Sequence, residues 1–382
     1  MQQRTVCYFG TWRAGYARNQ ILIAGLRRAG WRVLECHRTL WLSNEERVQA
    51  AAGGWRRPSL WWRAVCVYAR LLWQYRGVGP YEVMVVGYPG VIDVFFARLL
   101  TWLAGKPLVW DVLLSVYGVA RERGFHQRSP WSVRLLNVIE RLACRLPDLL
   151  VLDTPQHVAW FRGTYGLPAE RFRLVPLGAD DRLFRPLDPA DGAPADADHE
   201  FLVLYYGSFI PNHGVQNIVE AARLLASERS IRFELVGQGP DRAAAEGLAR
   251  QHNLGNLAFV DWLEQDELAR RMARADVCLG AFGTSWLSKI TIHNKVFEAL
   301  AMAKPVITVD SPATRAVFAH GTHVYLCPGA DPAALATAIL TLRARPELRR
   351  RLAEEGFRLF RERFTVDHTG RCFAAHLQEV AR

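Results

Sequence analysis

Residues 201–225 read FLVLYYGSFIPNHGVQNIVEAARLL: an unbroken apolar run, a loop holding Gly207 and Gly214, then apolar residues at helical spacing. That order specifies a buried strand, a glycine turn and an amphipathic helix. Repeated along a chain, the unit builds a parallel sheet, because parallel neighbours need a long crossover, usually a helix. Backbone N–H groups of such a turn and of the helix start point beyond the strand's carboxyl end, where phosphate is their natural ligand. Taken alone, the turn is also no more than any strand–helix unit requires.

Working outward, the pattern recurs on both sides. In the first half, strands are expected at Thr5–Phe9, Arg32–Cys36, Val83–Gly87, Leu108–Val112, Leu149–Leu152 and Arg173–Val175. In the second half they are expected at Phe201–Tyr206, Phe233–Val236, Leu257–Val260, Val277–Ala281, Pro305–Val309 and Val324–Cys327, with helical patterns between. The segment LDPADGAPADADHE after Pro186 is acidic and rich in Ala, Asp and Pro, the composition of an exposed linker. The reading is therefore α/β, with two Rossmann-like, doubly wound parallel-sheet domains at 1–182 and 183–364. A last helix at 365–382 is free to cross back to the first domain. Ligands of this architecture bind at the carboxyl ends of the strands, in a cleft between domains.

Half of the 382 residues are hydrophobic and 22% are charged, which excludes disorder. Seven scattered cysteines, none in a C-x-x-C pair, indicate neither a disulfide framework nor a zinc site and suit a reducing, cytoplasmic setting. The start MQQRTVCYFG runs straight into a strand, without the basic and apolar regions of a signal peptide. The long apolar stretch from Val83 to Val116 is broken by Asp93, Arg98, Lys106 and Asp111 and by Gly87, Pro89 and Gly90, so it reads as strand, helix, strand rather than a membrane span.

Charge is uneven. Residues 1–180 carry 24 Lys+Arg against 12 Asp+Glu, and residues 181–382 carry 24 against 25, so the whole excess lies in the first half. Such asymmetry marks a surface for phosphates, of lipid head groups or of nucleic acid. No recognisable DNA- or RNA-binding module accompanies it, and nucleic acid is set aside.

The chain has four lysines, and three of them (Lys289, Lys295 and Lys304) fall in sixteen positions of SWLSKITIHNKVFEALAMAKPVITVD. On a helix beginning near His293, Lys295 and Glu298 are three apart and share a face. A lysine there can neutralise a diphosphate while a carboxylate accepts hydrogen bonds from a ribose diol, or the two can form an ordinary surface ion pair. Upstream, FELVGQGPDRAAAEGLA places Gly237 and Gly239 in another strand-to-helix turn, with Pro240 suited to a first helical turn.

Five segments in order, VPLGADDRLFRP, YYGSFIPNHGVQNIVEAARLL, LVGQGP, FVDWLEQDELARRMARADVCLGAF and NKVFEALAMAKPVI, resemble the signature of retaining glycosyltransferases of family 4, glycosyl transferases group 1, of GT-B fold. The resemblance is strong from about Val175 to Phe364 and looser before it. It implies a C-terminal domain holding a nucleotide diphosphate sugar, UDP- or GDP-linked, and an N-terminal domain holding the acceptor. No cofactor beyond the donor and no metal are implied, and Asp196 with Asp198, the one Asp-x-Asp, falls in the linker. By position, Glu298 resembles the second acid of the family's Glu-x7-Glu element. The first acid's place is taken by Ile290, and the chain has Asn294–Lys295 before the helix instead. Gly237, Gly239 and Trp262 resemble positions around the nucleotide base. The family's phosphate loop carries Gly-Arg and, five residues on, Lys-Gly, whereas this chain has Gly207–Ser208 and His213–Gly214. Two cations are missing there, and Lys289 and Lys295 are the candidates to replace them in the catalytic step.

In the first domain, Phe9–Trp12 (FGTW) resembles the glycine loop beneath the donor sugar, with Gly10 and Thr11 as its contacts. Asp111, ending VWD, is a candidate to touch the donor sugar or the acceptor hydroxyl, or a turn and capping residue. Arg18 and Asn19 open the first helix near that loop, or are cap and surface residues. The reaction implied is front-face transfer, with the leaving diphosphate taking the acceptor's proton.

Between Glu46 and Glu82 there is no acid. The stretch GGWRRPSLWWRAVCVYARLLWQYRGVGPY carries five Arg and four Trp, with Arg56, Arg63 and Arg70 seven apart. A helix from Pro58 with this composition reads as interfacial, which makes segment 55–76 a contact for an anionic membrane surface and a lipid-linked acceptor natural, or as a core helix packed on the sheet. The expectation is a peripheral enzyme of the cytoplasmic membrane face, in envelope polysaccharide or glycolipid synthesis. A catalytically silent scaffold of the same fold and a nucleotide-sugar epimerase remain open beside it.

Overall fold

The computed structural model describes residues 3–12, 15–40, 46, 57–187 and 200–381. Trp55, Arg56, most of the acidic linker and Asp196 with Asp198 lie outside them. The chain forms two units, Met1–Leu177 with Val366–Arg382, and Gly178–Thr365. The division thus falls at Leu177/Gly178 rather than at 182/183, and the last helix belongs to the first unit.

The first unit holds six parallel strands: β1 (Thr5–Gly10), β2 (Arg32–His37), β3 (Val83–Val86), β4 (Leu108–Asp111), β5 (Leu149–Leu152) and β6 (Phe172–Leu174), in the order β2-β1-β3-β4-β5-β6. Strands such as VMVV and LLVL are buried at every position, as strands covered on both faces must be. Because right-handed crossovers place helices by direction of travel, one face carries Ala17–Arg28 and the other carries Pro58–Tyr75, Asp93–Ala104, Pro130–Ala143 and Pro155–Tyr165. The cores agree. Leu22, Ile23 and Leu26 pack with Phe373, Ala374 and Leu377 of the last helix, Val366–Val380, whereas Tyr68, Leu71, Val94, Ala97, Ala143 and Phe161 share the opposite core. The two helices of the first face cross at Gly25 and Gly370, where a Cβ on Gly370 would lie 2.2 Å from the Gly25 carbonyl.

The second unit repeats the design with β7 (Phe201–Tyr206), β8 (Ile231–Val236), β9 (Leu257–Val260), β10 (Val277–Leu279), β11 (Val306–Val309) and β12 (Tyr325–Cys327), ordered β12-β11-β10-β7-β8-β9. The strand order reverses between β7 and β10, so the loops after these two strands open a crevice at their carboxyl ends.

Candidate functional site

The crevice of the second unit is built by backbone. Gly207 turns the chain out of β7 with φ +131°, and its N–H donates to the Val236 carbonyl at 2.9 Å. Phe209 N–H donates to Gln238 at 2.9 Å, and Asp241 N–H donates back to Phe209 at 3.0 Å, so the loops after β7 and β8 lie against each other. Only glycines permit it: a Cβ on Gly237 would stand 2.0 Å from the Gly207 oxygen, and one on Gly239 2.4 Å from the Phe209 oxygen. The loop after β10 closes the other side, with Phe282 N–H on the His213 carbonyl at 2.9 Å and Ser288 Oγ on the Asn212 carbonyl at 3.0 Å.

Lys295 enters from the first turn of the Asn294–Ala301 helix and is buried. Its Nζ stands 3.9 Å from the centre of the Tyr205 ring and 3.3 Å from His213 Nδ1, and a Cβ on Gly207 would touch it at 3.1 Å. His213 Nδ1 lies 2.6 Å from the Ser208 carbonyl oxygen, which requires the proton on Nδ1; that nitrogen donates there and has no lone pair to offer the lysine. A buried ammonium thus faces a glycine loop and an aromatic ring. No carboxylate pairs with it within 4.0 Å among the described residues.

Burial, partly offset by the Glu298 charge, brings the Lys295 ammonium down to about 7. Glu298 is half-buried one turn later, and desolvation lifts its carboxyl to about 7 against the pull of Tyr206 and Lys295. The Tyr206 hydroxyl donates to the Lys295 carbonyl at 2.8 Å and fixes the start of the helix to the end of β7. His293, capping that helix, meets Asn212 Nδ2 at 3.3 Å and packs edge-on to His213 with ring centres 4.6 Å apart. Burial and the neighbouring lysine lower His293 to about 3, so it is neutral. Where cations were expected in the loop, the structure has uncharged groups around one lysine.

Asn294 is half-buried beside Lys295, whereas Lys289 stands exposed on the short Trp286–Ile290 helix. Trp262 is 63% exposed beyond β9, close to the Gln238 Nε2–Asp261 Oδ1 hydrogen bond of 2.8 Å that spans the glycine turn.

In the first unit, Gly10 has φ +142°, and a Cβ there would meet Asp93 Oδ2 at 2.6 Å. Asp93 accepts from Thr11 N at 2.7 Å, from Thr11 Oγ1 at 2.9 Å and from the Tyr68 hydroxyl at 2.6 Å. Burial raises its pKa while those hydrogen bonds oppose the rise. The sequence reading missed this residue; the available signal was an acid placed just after Gly90 in an otherwise apolar run.

Asp111 sits otherwise than expected. It is fully buried, with both oxygens taken by Arg18: Nη2 at 2.9 Å, and Nε at 3.1 and 3.2 Å. Arg18 Nη1 also donates to the carbonyls of Val175 and Pro176 at 3.0 and 2.9 Å, tying the first helix to the end of the unit. A carboxylate held in this way positions Arg18 and leaves no oxygen open to a sugar. Asn19 is equally buried; its amide brackets Tyr88 N and O at 3.1 and 2.9 Å. Neither Arg18 nor Asn19 is a surface residue.

A family model described as Glycosyl transferases group 1 matches residues 200–345, and one described as Glycosyl transferase 4-like domain matches residues 17–178. A D-inositol 3-phosphate glycosyltransferase of Geodermatophilus obscurus is 26% identical over 351 residues, 80% of this chain and 75% of the relative. An alpha-D-kanosaminyltransferase of Streptomyces kanamyceticus is 24% identical over 298 residues, 75% of this chain and 74% of the relative. Sucrose-phosphate synthase from Thermosynechococcus elongatus superposes with a TM-score of 0.75 at 18% identity, covering 98% of both chains. Anabaena Alr3699/HepE in complex with UDP superposes with a TM-score of 0.71 at 16% identity, covering 99% of this chain and all of the other.

Proposed function

The chain belongs to family 4 of the glycosyltransferases, the group 1 glycosyl transferases of GT-B fold, and on that premise we propose that it moves a sugar, with retention, from a UDP- or GDP-sugar to a glycan or lipid-linked acceptor in envelope polysaccharide or glycolipid synthesis. The observation that carries the donor assignment is Lys295, a buried cation without a carboxylate partner among the described residues, set against the Gly207 backbone one turn before Glu298. A diphosphate supplies the missing anion. A ribose diol gives Glu298 two hydroxyl donors, and the glycine turn at Gly237 and Gly239 lets a base approach the backbone, with Trp262 and Asn294 beside it. That solved structures of Anabaena HepE contain UDP and UDP-glucose supports the same reading.

The chemistry follows from charge. The bond between the anomeric carbon and the β-phosphate oxygen breaks, the acceptor oxygen bonds to the same face, and the acceptor's proton passes to the departing phosphate oxygen. Lys295 stabilises the charge that grows on that oxygen. The lysine supplies this stabilisation without a bound metal.

We place the enzyme peripherally on the cytoplasmic membrane face, held by segment 55–76 on anionic lipid; no helix among the described residues is long and apolar enough to cross a membrane. Calorimetric titration with UDP and with GDP tests the donor site. Micromolar binding of one nucleotide, lost in Glu298→Ala, supports it, and no binding of either by the folded protein overturns it. Undiminished transfer in excess EDTA, with an α-linked product from an α-linked donor, tests metal independence and retention.

A further inference from the structure

The helices on one face of the first sheet present apolar side chains where crossover helices normally present polar ones. On Pro58–Tyr75 the outward stripe runs Trp62, Val65, Ala69, Trp73, with Trp61 beside it. Asp93–Ala104 adds Leu99, Trp102 and Leu103, and Pro130–Ala143 adds Trp131, Leu135, Val138 and Leu142. Eleven of the sixteen exposed large apolar side chains among the described residues thus sit on three helices of one sheet face, far beyond the scattered singles of an ordinary surface.

The three helices expose basic residues and no acid of their own, while Glu46 and Asp148 from neighbouring segments pair with Arg63 and Arg98. Pro58–Tyr75 contains no acid, and the only acids of the other two helices, Asp93 and Glu140, are fully buried. Glu140 is taken up by Ser115, Tyr165 and two backbone N–H groups. Arg70, Lys106, Arg134, Arg141 and Arg145 are exposed around the stripe. Arg134 lies over the Trp131 ring, 5.2 Å from the centroid, the pairing of an aromatic body with a cationic head that suits the lipid head-group level, whereas Arg98, over the Trp102 ring, is held by Asp148.

We propose that Pro58–Tyr75, Asp93–Ala104 and Pro130–Ala143 together form one docking surface for an anionic lipid bilayer, with Trp61, Trp62, Trp102, Leu103, Trp131 and Leu135 entering the interface and the arginines meeting lipid phosphates. The proposal rests on the reading that the enzyme works at a membrane, and enlarges its contact from segment 55–76 to three helices. A second copy of the chain is a poor occupant, since two such faces bring arginines against arginines.

The test is sedimentation of the full chain with phosphatidylcholine vesicles, with and without phosphatidylglycerol, for wild type and three double variants: Trp61→Ser with Trp62→Ser, Trp102→Ser with Leu103→Ser, and Trp131→Ser with Leu135→Ser. Wild type is expected to bind the anionic vesicles, less so at high salt, and each double variant to bind about tenfold more weakly. Should a variant fold poorly, Arg134→Gln with Arg141→Gln, which alters only exposed residues, gives the same reading through charge. If wild type binds and only the Trp61/Trp62 variant loses binding, the three-helix surface is overturned while the membrane reading survives. If wild type ignores vesicles, both fail, and dimerisation lost in the same variants would assign the face to a second copy. UDP and GDP titration of every variant, which reports on the other unit, keeps these outcomes separate from the donor assignment.

Discussion

Lys295 and Glu298 each titrate near pH 7, from opposite directions, and both are burdened by burial. Folded-state Lys295 loses its proton as pH rises through about 7, and Glu298 loses its negative charge as pH falls through about 7. Donor binding needs both charged. Nucleotide affinity should therefore peak near neutrality and fall on either side, at most about tenfold per pH unit on each limb. Titration calorimetry across pH checks it: Lys295→Met should abolish the alkaline limb and Glu298→Gln the acid limb, each with weaker binding overall. Gly237 carries a sharper constraint. A side chain there collides with the Gly207 oxygen, so Gly237→Ala should displace the loop and abolish nucleotide binding in a protein whose first unit still melts normally. The sequence marked both glycines and the lysine. It did not show that His213 would face Ser208 with its proton and leave the lysine alone.

Among the elements, Pro58–Tyr75 connects surface to site. Its outer stripe is Trp and Val, while its inner Tyr68 donates to Asp93, which in turn holds Thr11. Tyr68→Phe removes one donor from a buried carboxylate and should cost about 1–3 kcal/mol in urea unfolding. Asp93→Asn, which leaves the Thr11 and Tyr68 donors facing an amide in place of a carboxylate, should cost at least as much in the same unfolding curves. The crossing of Ala17–Arg28 with Val366–Val380 depends on two glycines in van der Waals contact. Gly370→Ala should lower stability by about 1–3 kcal/mol through overpacking, measured by the same unfolding curves. The sequence pattern placed every strand to within about two residues, and likewise the starts of these helices. The partners of Asp93, Arg18 and Asn19 were not legible, since each lies far away along the chain and nothing local selects it.

At the scale of the molecule, two similar units share one chain and only the first borrows its last helix from the far end. Phe373, Ala374 and Leu377 complete the core around Leu22, Ile23 and Leu26, so truncation after Thr365 should expose that core and unfold the first unit. Hydrogen exchange would show protection lost across Met1–Leu177 and retained across Gly178–Thr365; loss in both would refute the independence of the second core. Alternating apolar runs and amphipathic stretches determined two parallel α/β sheets, the glycine turns and the family signature, because strand, turn and helix preferences are local and repeat. The basic first half was equally plain from composition. Tertiary structure alone decided that Asp111 is taken by Arg18, that Asp93 clamps the Gly10 loop, and that Lys295 is buried without a carboxylate partner among the described residues. It also decided that the tryptophans of three separate helices gather on one face. Those are outcomes of packing between segments distant in sequence, where burial sets each group's charge and geometry chooses its partner.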